Sequence, residues 1–371
     1  MASSAAAPQV QLGMQRAGSH DALPLHSCLL HSSAADAVLQ AANGALAAQP
    51  AAAALRYDPK SRRGLIKRVT LRQGFRTAAA ARLAAARNAA AAATDRTDAS
   101  RQAGHPPTTE GAPADAAAAG DAVLVDVLTS GSASKAERAA FPAFVEALAG
   151  VGTVAGVVES SHTSRNLSAP PQRSVCLVGQ AHVFTALGPF VCRTSARSFL
   201  QVNTLQCTEL YRVVDDMAQL ALTDVLLDLY CGAGTIGMWL ARKCARVVGV
   251  EKVAEAVADA RANAALNGVA NIDFVVGDLS SAQVRTLLAQ SGAATADVVV
   301  VDPARAGLAE PVMSALQSSG AHALVYVSCC SQSFCRDLKA LEARGWRCVR
   351  VRAVDMFPQT HHLESVARFE R

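Results

Sequence analysis

Val225-Leu-Leu-Asp-Leu-Tyr-Cys-Gly-Ala-Gly-Thr-Ile-Gly237 decides how this chain folds. An apolar run too short for a buried helix leads into a glycine turn, and a helical pattern follows over 236–243. Strand, tight turn and helix in that order open a βαβ unit. The alternation then repeats. Strands at 247–250, 272–276, 298–301 and 323–327 alternate with helices at 254–266, 282–290, 311–318 and 334–344, and strands at 348–353 and 363–369 close the chain. Just upstream, Asn203 or Thr204 can cap a helix to about residue 222, with Leu205, Leu210, Val213, Val214 and Met217 on its apolar side. Near-continuous β-branched strands separated by helices predict an α/β fold with a doubly wound parallel sheet. Such a sheet binds ligands at the carboxyl ends of its strands.

Acidic residues stand at four of those ends. Asp228 precedes the glycine turn, Glu251 ends the second strand, Asp278 follows the third in Gly277-Asp278, and Asp302 follows the fourth in Asp302-Pro303. Gly232, Gly234 and Gly237 satisfy G-x-G-x-x-G, which brings a backbone close to a ligand at a helix N-terminus and leaves the kind of nucleotide open. A carboxylate at Glu251 can accept both hydroxyls of a ribose. Helix capping accounts for one or two of the four acids. A nucleoside-bearing cofactor accounts for all of them.

The next strand ends Val325-Tyr-Val-Ser-Cys-Cys-Ser331, which puts Cys329 at the mouth of the same cleft, one strand from Asp302. A thiolate there has a specific use. Uracil C5 is a poor nucleophile until a thiolate adds to C6, and a base must then remove the C5 proton so that the thiol can leave. Asp355-Met-Phe-Pro-Gln-Thr-His-His-Leu-Glu364 offers that base as Glu364, just before the last strand. His361 and His362 lie nearby, but adjacent histidines point apart and no third ligand is evident, so no metal site is expected. Cys330 is a rival nucleophile, although alternation sends neighbouring side chains opposite ways.

These segments carry a resemblance. Ser198-Phe-Leu-Gln-Val-Asn-Thr204, Asp228-Leu-Tyr-Cys-Gly-Ala-Gly-Thr235, Asp302-Pro-Ala-Arg-Ala-Gly-Leu308, Val327-Ser-Cys329 and Asp355-Met-Phe-Pro through Glu364 come in the order found in the RNA 5-methyluridine (uracil-C5) methyltransferases. The likeness covers 198–371 and implies a Rossmann-like class I methyltransferase sheet using S-adenosyl-L-methionine. It implies Cys329 as nucleophile and Glu364 as general base. It also implies a cofactor pocket from Gln201, Tyr230, Gly232, Thr235, Glu251, Asp278 and Asp302, with Asp278 beside the adenine, and a target-base pocket shaped by Arg305. The chain departs from the family at two places. Ala304 stands where the family has a second Pro, and Cys330-Ser331 stands where it has Asn-Pro.

The remaining composition bounds the rest. In 371 residues, 35 Lys and Arg against 30 Asp and Glu leave a net charge of +5, which permits an RNA partner without requiring one. No apolar run approaches the roughly 20 residues of a membrane span. Ten cysteines without a C-x-x-C pair read as reduced intracellular thiols. The expected location is therefore intracellular, cytoplasmic by default, with an organelle or the nucleus left open by an Ala- and Ser-rich start lacking acids over 1–20.

Residues 1–198 are expected to form a mixed α+β domain that grips RNA. An Ala-rich insertion at about 78–120, helical to about 93, should interrupt it. Its strands are expected at 64–72, 123–128, 154–159 and 175–178, with a helix at 135–148. In the first strand Leu65, Lys67, Val69 and Leu71 share one face. Seven basic residues and no acid over 60–76 make phosphate contact plausible there. More loosely, Gly18-Ser-His-Asp21 and Cys28-Leu-Leu30 resemble the family's central domain. Cys28 matches the last ligand of an iron–sulfur cluster of some members, without the other three. The abrupt start suggests an N-terminally incomplete chain.

The expectation is a monomer that transfers methyl to a uridine C5 in RNA, tRNA before rRNA. Rival readings are a cytosine-C5 RNA methyltransferase, for which the Pro-Cys after the fourth strand is missing, a non-catalytic RNA-binding or RNA-folding relative, and a nicotinamide-dependent oxidoreductase.

Overall fold

The computed structural model describes residues 12–15, 22–27, 32–48, 52–58, 61–83, 86, 121–164, 171–281, 284–290, 295–360 and 362–371. Among them two compact units are distinguished, 12–83 with 121–185, and 186–371. Of the expected Ala-rich insertion, 78–83 are helical and the rest lies almost wholly outside the described residues, as do Cys28 and 18–21.

The first unit opens with a ribbon of β1 (Gly13–Gln15) and β2 (Ala22–Pro24), then α1 (Ser33–Ala48) and α2 (Ala52–Leu55). After these come β3 (Ile66–Phe75), β4 (Asp121–Ser130), α3 (Lys135–Arg138), α4 (Phe141–Ala149), β5 (Val154–His162), β6 (Arg173–Gly179) and β7 (His182–Leu187), which straddles the division. The strands lie in the order β6-β5-β4-β3-β7. Val123, Val125 and Val127 of β4 bury against Val38 and Leu46 of α1 and Phe144 of α4. Alternation predicts that arrangement.

Two expectations for this unit need correction. The helix expected at 135–148 is two helices. Ser134 and Glu137 close a capping box on the first, and Pro142, which cannot donate into a continuing helix, opens the second. In β3, Val69 and Leu71 pack on the core as expected, but Ile66 is buried as well, because a register shift between Ile66 and Arg68 breaks the alternation.

The second unit starts with β8 (Phe190–Ser195) and α5 (Thr204–Ala218). It continues through β9 (Val225–Leu229), α6 (Thr235–Leu240), β10 (Arg246–Glu251), α7 (Ala254–Leu266), β11 (Ile272–Val276) and α8 (Val284–Gln290). It ends with β12 (Val298–Val301), α9 (Glu310–Ser318), β13 (Ala323–Ser328), α10 (Ser331–Glu342), β14 (Arg347–Val354) and β15 (Glu364–Glu370). The sheet runs β11-β10-β9-β12-β13-β15-β14. Its first five strands are parallel, whereas β15 runs antiparallel to both β13 and β14. The purely parallel sheet expected from the alternation is thus corrected at one edge. No helix separates β14 from β15, so the chain can only turn back.

The order of strands reverses between β9 and β12, and that switch point is where a doubly wound sheet opens its crevice. One face of the sheet carries α5, α6 and α7 over Leu226, Val300, Val325 and Val366. The other carries α8, α9 and α10 over Leu229, Val301, Tyr326 and Phe369. Helix α5 ends at Ala218, about four residues short of expectation, with Gln219 left-handed after it, and Leu205 on its first turn is exposed rather than apolar-side. Buried Arg368 of β15 donates to the carbonyls of Met217 and Ala218, a cation at the helix C-terminus that fixes α5 over β13 and β15.

Candidate active site

Strand register builds the site. Leu229, Val301 and Tyr326 are in step across β9, β12 and β13 and face α8–α10. One residue further on, Asp302 points to the opposite face, the one that Val298 and Val300 share with α5. By the same alternation Cys329 follows Val325 and Val327 on that face, and Glu364 precedes Val366 on it. Ser328 pairs with Ser365, so the antiparallel register carried one step on sets Cys329 opposite Glu364. Asp228, Asp302, Cys329 and Glu364 therefore lie on the α5 side of the sheet, at the carboxyl ends of the parallel strands.

Electrostatics agree with that placement. Burial, then Glu364 and Asp302, push the Cys329 thiol above its usual range, and Arg305 opposes them. Burial raises Glu364, again opposed by Arg305. Burial, with Glu364 and Asp228 adding repulsion, lifts Asp302 to about 8, and Asp228 rises to about 7 mainly through burial. Cys207 on α5, raised to about 12 by burial, also feels Asp302 and Glu364. Cys330 is different. It is the N-cap residue of α10, and the Ser333 backbone and hydroxyl stabilise its thiolate below the usual range. Arg305 lowers it further.

The glycine loop forms the second half of the site. Tyr230 is left-handed at φ 63°, an uncommon conformation for a residue with a side chain, and Gly234 follows at φ 79°. A Cβ on Gly234 would stand 2.5 Å from the Phe274 ring, so glycine is required there twice over. Glu251 accepts the amides of Gly232 at 3.2 Å and Val253 at 2.8 Å, which aims its carboxylate at the loop. A Cβ on Gly232 would meet nothing closer than the Phe199 carbonyl oxygen at 4.0 Å, so the loop borders open space. That room, with a carboxylate at the strand end and a helix N-terminus behind it, fits the nucleoside end of a cofactor.

The other expected residues divide. Gln201 is buried between exposed Phe199 and Val202. Thr235 is buried, and its hydroxyl lies 2.6 Å from the buried Tyr211 hydroxyl. Asp278 is brought only to the rim. It pairs with Lys252 at 2.7 Å and accepts the amide and hydroxyl of Ser280, and the Lys252 contact above all holds it down at about 2. Asp228 accepts the Gly237 amide at 3.0 Å, so it secures the start of α6. Asn203 caps α5 through the Gln206 amide at 3.1 Å and donates to the Met356 carbonyl at 3.3 Å, which joins the Ser198–Thr204 segment to the loop before Glu364. His362 stacks edge-on to Phe357, and His361 lies outside the described residues. Among the described residues no three His, Cys, Asp or Glu side chains gather as metal ligands, and no helix is long and apolar enough to cross a membrane.

Sequence reading missed a polar ladder. Asp259, Asn263 and Asn267 recur every fourth residue on α7, about 6 Å apart, which matches alternate residues of a strand. Asn267 bonds the amide and carbonyl of Val191, and Asn263 does the same for Arg193. Asp259 takes the Ser195 amide and hydroxyl and the Ser198 hydroxyl. Asn263 also donates to the Ala233 carbonyl in the glycine loop. Four-residue spacing is visible in the sequence, but its partners are about 60 to 80 residues away.

Sheet order, loop and strand-end acids define a Rossmann-like class I methyltransferase fold, and comparison agrees. A crystal structure of the Pyrococcus abyssi tRNA (uracil-54, C5)-methyltransferase with S-adenosyl-L-homocysteine superposes with a TM-score of 0.59 at 22% identity, over 94% of this chain and 70% of that one. The profile described as tRNA (Uracil-5-)-methyltransferase matches residues 186–371, and the chain belongs to that family. An uncharacterized RNA methyltransferase of Chlorobaculum tepidum is 39% identical over 209 residues, 56% of this chain and 43% of that protein. One from Porphyromonas gingivalis is 42% identical over 180 residues, 48% of this chain and 38% of that protein. The chain thus spans less than half the length of either relative.

Proposed function

We propose that this chain methylates C5 of a uridine in RNA, with tRNA the first substrate to test. The observation that supports it most is the facing placement of Cys329 and Glu364 beside the glycine loop, in a chain of the uracil-5 family. S-adenosyl-L-methionine, when bound, supplies an electrophilic methyl group. Glu251 and the Gly232 loop would hold its ribose end, with Gln201, Tyr230, Thr235 and Asp302 around it and Asp278 at the rim.

Cys329 as thiolate adds to C6 of the uracil, and the electron pair of the C5–C6 bond moves to C5 and its carbonyl. C5 would take the methyl from bound S-adenosyl-L-methionine, the electron pair of the broken carbon–sulfur bond returning to sulfur to leave S-adenosyl-L-homocysteine. Glu364 then accepts the C5 proton, the pair returns to C5–C6, and the bond from Cys329 sulfur to C6 breaks. Burial raises Glu364 above its usual range, and such a carboxylate is the stronger proton acceptor once ionised. Exposed Phe199, Val202 and Leu205 beside the glycine loop offer an apolar surface on which bases of single-stranded RNA can stack.

Residues 199–371 form the catalytic domain on this reading, and 1–198 grip the RNA as a monomer's second half. Fewer of the cations at 60–76 are available than their number suggests. Lys67 donates to the carbonyls of His162 and Ser164, and Arg76 to those of Gly152 and Val154.

The test is methyl transfer from labelled S-adenosyl-L-methionine to unmodified tRNA and rRNA transcripts, followed by nucleoside analysis. 5-Methyluridine in either RNA supports the reading. Labelled 5-methylcytidine instead would replace it with the cytosine reading, and cofactor binding without transfer would favour a non-catalytic RNA-binding protein.

A further inference from the structure

Buried Asp337 of α10 takes no part in the chemistry above, yet it is saturated with donors. Its Oδ2 accepts the Leu308 amide at 2.7 Å and the Tyr326 hydroxyl at 2.7 Å. Its Oδ1 accepts Arg336 Nε at 2.8 Å and Nη2 at 2.6 Å, and the same guanidinium donates to the Ala306 carbonyl at 2.6 Å. Gly307 sits between them at φ 79°, and a Cβ there would come within 2.2 Å of Asp337 Oδ2 and 2.5 Å of Arg336 Nη2. Both partners of Asp337 outside its own helix therefore bear on the site. Leu308 ends the loop that carries Arg305, and Tyr326 lies on β13, the strand that leads into Cys329.

We infer that Asp337, with Arg336, is a positioning residue that clamps the 302–308 loop to β13 and α10, holding Arg305 in register with Cys329 and Glu364. This rests on the proposed roles of those two residues. The clamp also explains how the loop keeps one shape with Ala304, which leaves the backbone freer than a second proline would. The Gly307 amide returns to the Ala304 carbonyl at 2.9 Å, so the turn closes inside the clamped stretch. Arg305 itself is exposed and is the cation whose field reaches Cys329, Cys330 and Glu364 alike. Its position therefore depends on the backbone that Asp337 grips.

The experiment compares Asp337→Asn and Arg336→Ala with the wild-type chain. The second variant removes a half-exposed side chain and guards against a misfolded Asp337 variant. Tryptic cleavage between Arg305 and Ala306, which needs no activity, should accelerate about tenfold in both as the loop loosens. Covalent capture of 5-fluorouracil-substituted RNA in the presence of S-adenosyl-L-methionine should slow about tenfold, with affinity for S-adenosyl-L-homocysteine unchanged. In an Arg305→Ala background, Asp337→Asn should slow capture no further. Cleavage at the wild-type rate in both variants, or full additivity with Arg305→Ala, would overturn the inference. If the wild-type chain captures no RNA, the proposed function fails, and the cleavage rates still decide whether Asp337 clamps the loop.

Discussion

Cys329 stands opposite Glu364, one step beyond the Ser328–Ser365 pair of an antiparallel ladder. The pairing needs β15 to run against β13. In a wholly parallel sheet Glu364 would have come out at the far end. The one reversed strand is therefore what brings a cysteine at the end of one strand to a carboxylate at the start of another.

Removing the base without moving it should separate the two halves of the reaction. Glu364→Gln keeps the shape and loses the proton acceptor, so addition and methyl transfer proceed while elimination stalls. Turnover on unmodified RNA should fall by about 10²–10⁴-fold. A methylated protein–RNA adduct should accumulate and be visible on a denaturing gel. Equal loss of adduct and turnover would mean that Glu364 acts earlier.

Asp302 gives the pH dependence. Burial above all holds it at about 8 against an ordinary 3.8, so the folded chain keeps a proton that the unfolded chain releases between those values. Stability is then fully present below about pH 4 for this group and is lost as pH rises towards 8. Asp228, at about 7, acts in the same direction. The melting temperature of the wild-type chain should fall from pH 6 to 8, and Asp302→Asn, which has no proton to lose, should flatten that slope. A slope identical in the variant would count against a protonated Asp302.

The α7 ladder should matter to both stability and cofactor. Asn263→Ala strips partners from the part-buried amide and carbonyl of Arg193 and from the buried Ala233 carbonyl. Leaving such groups unpaired costs about 2–4 kcal/mol in all. Urea unfolding should show that loss, and calorimetry should show weaker S-adenosyl-L-homocysteine binding than an equally destabilised core variant. A loss below about 0.5 kcal/mol would show that water replaces the ladder.

Local signals carried most of the second unit. Asn203 was readable as a cap because its oxygen serves an amide three residues on, and the β-branched run of β12 could be little else. The Cys329 and Glu364 pair was legible as two motifs, but their facing geometry was not, since strand order is a property of the whole sheet. The strands β7 and β8 went unread, because His182–Leu187 and Phe190–Ser195 mix polar and apolar residues without a clean period. Asp337 and Asp259 were invisible for a similar reason. Each sits in an ordinary amphipathic helix, and only their distant partners mark them out.

Covalent capture of uracil by Cys329 can be read directly with 5-fluorouracil-substituted tRNA. Fluorine at C5 cannot leave as a proton, so turnover in the presence of S-adenosyl-L-methionine stops as a protein–RNA adduct. An adduct should form with the wild-type chain and with Cys330→Ala, and none with Cys329→Ala. An adduct that survives Cys329→Ala and disappears in Cys330→Ala would contradict it.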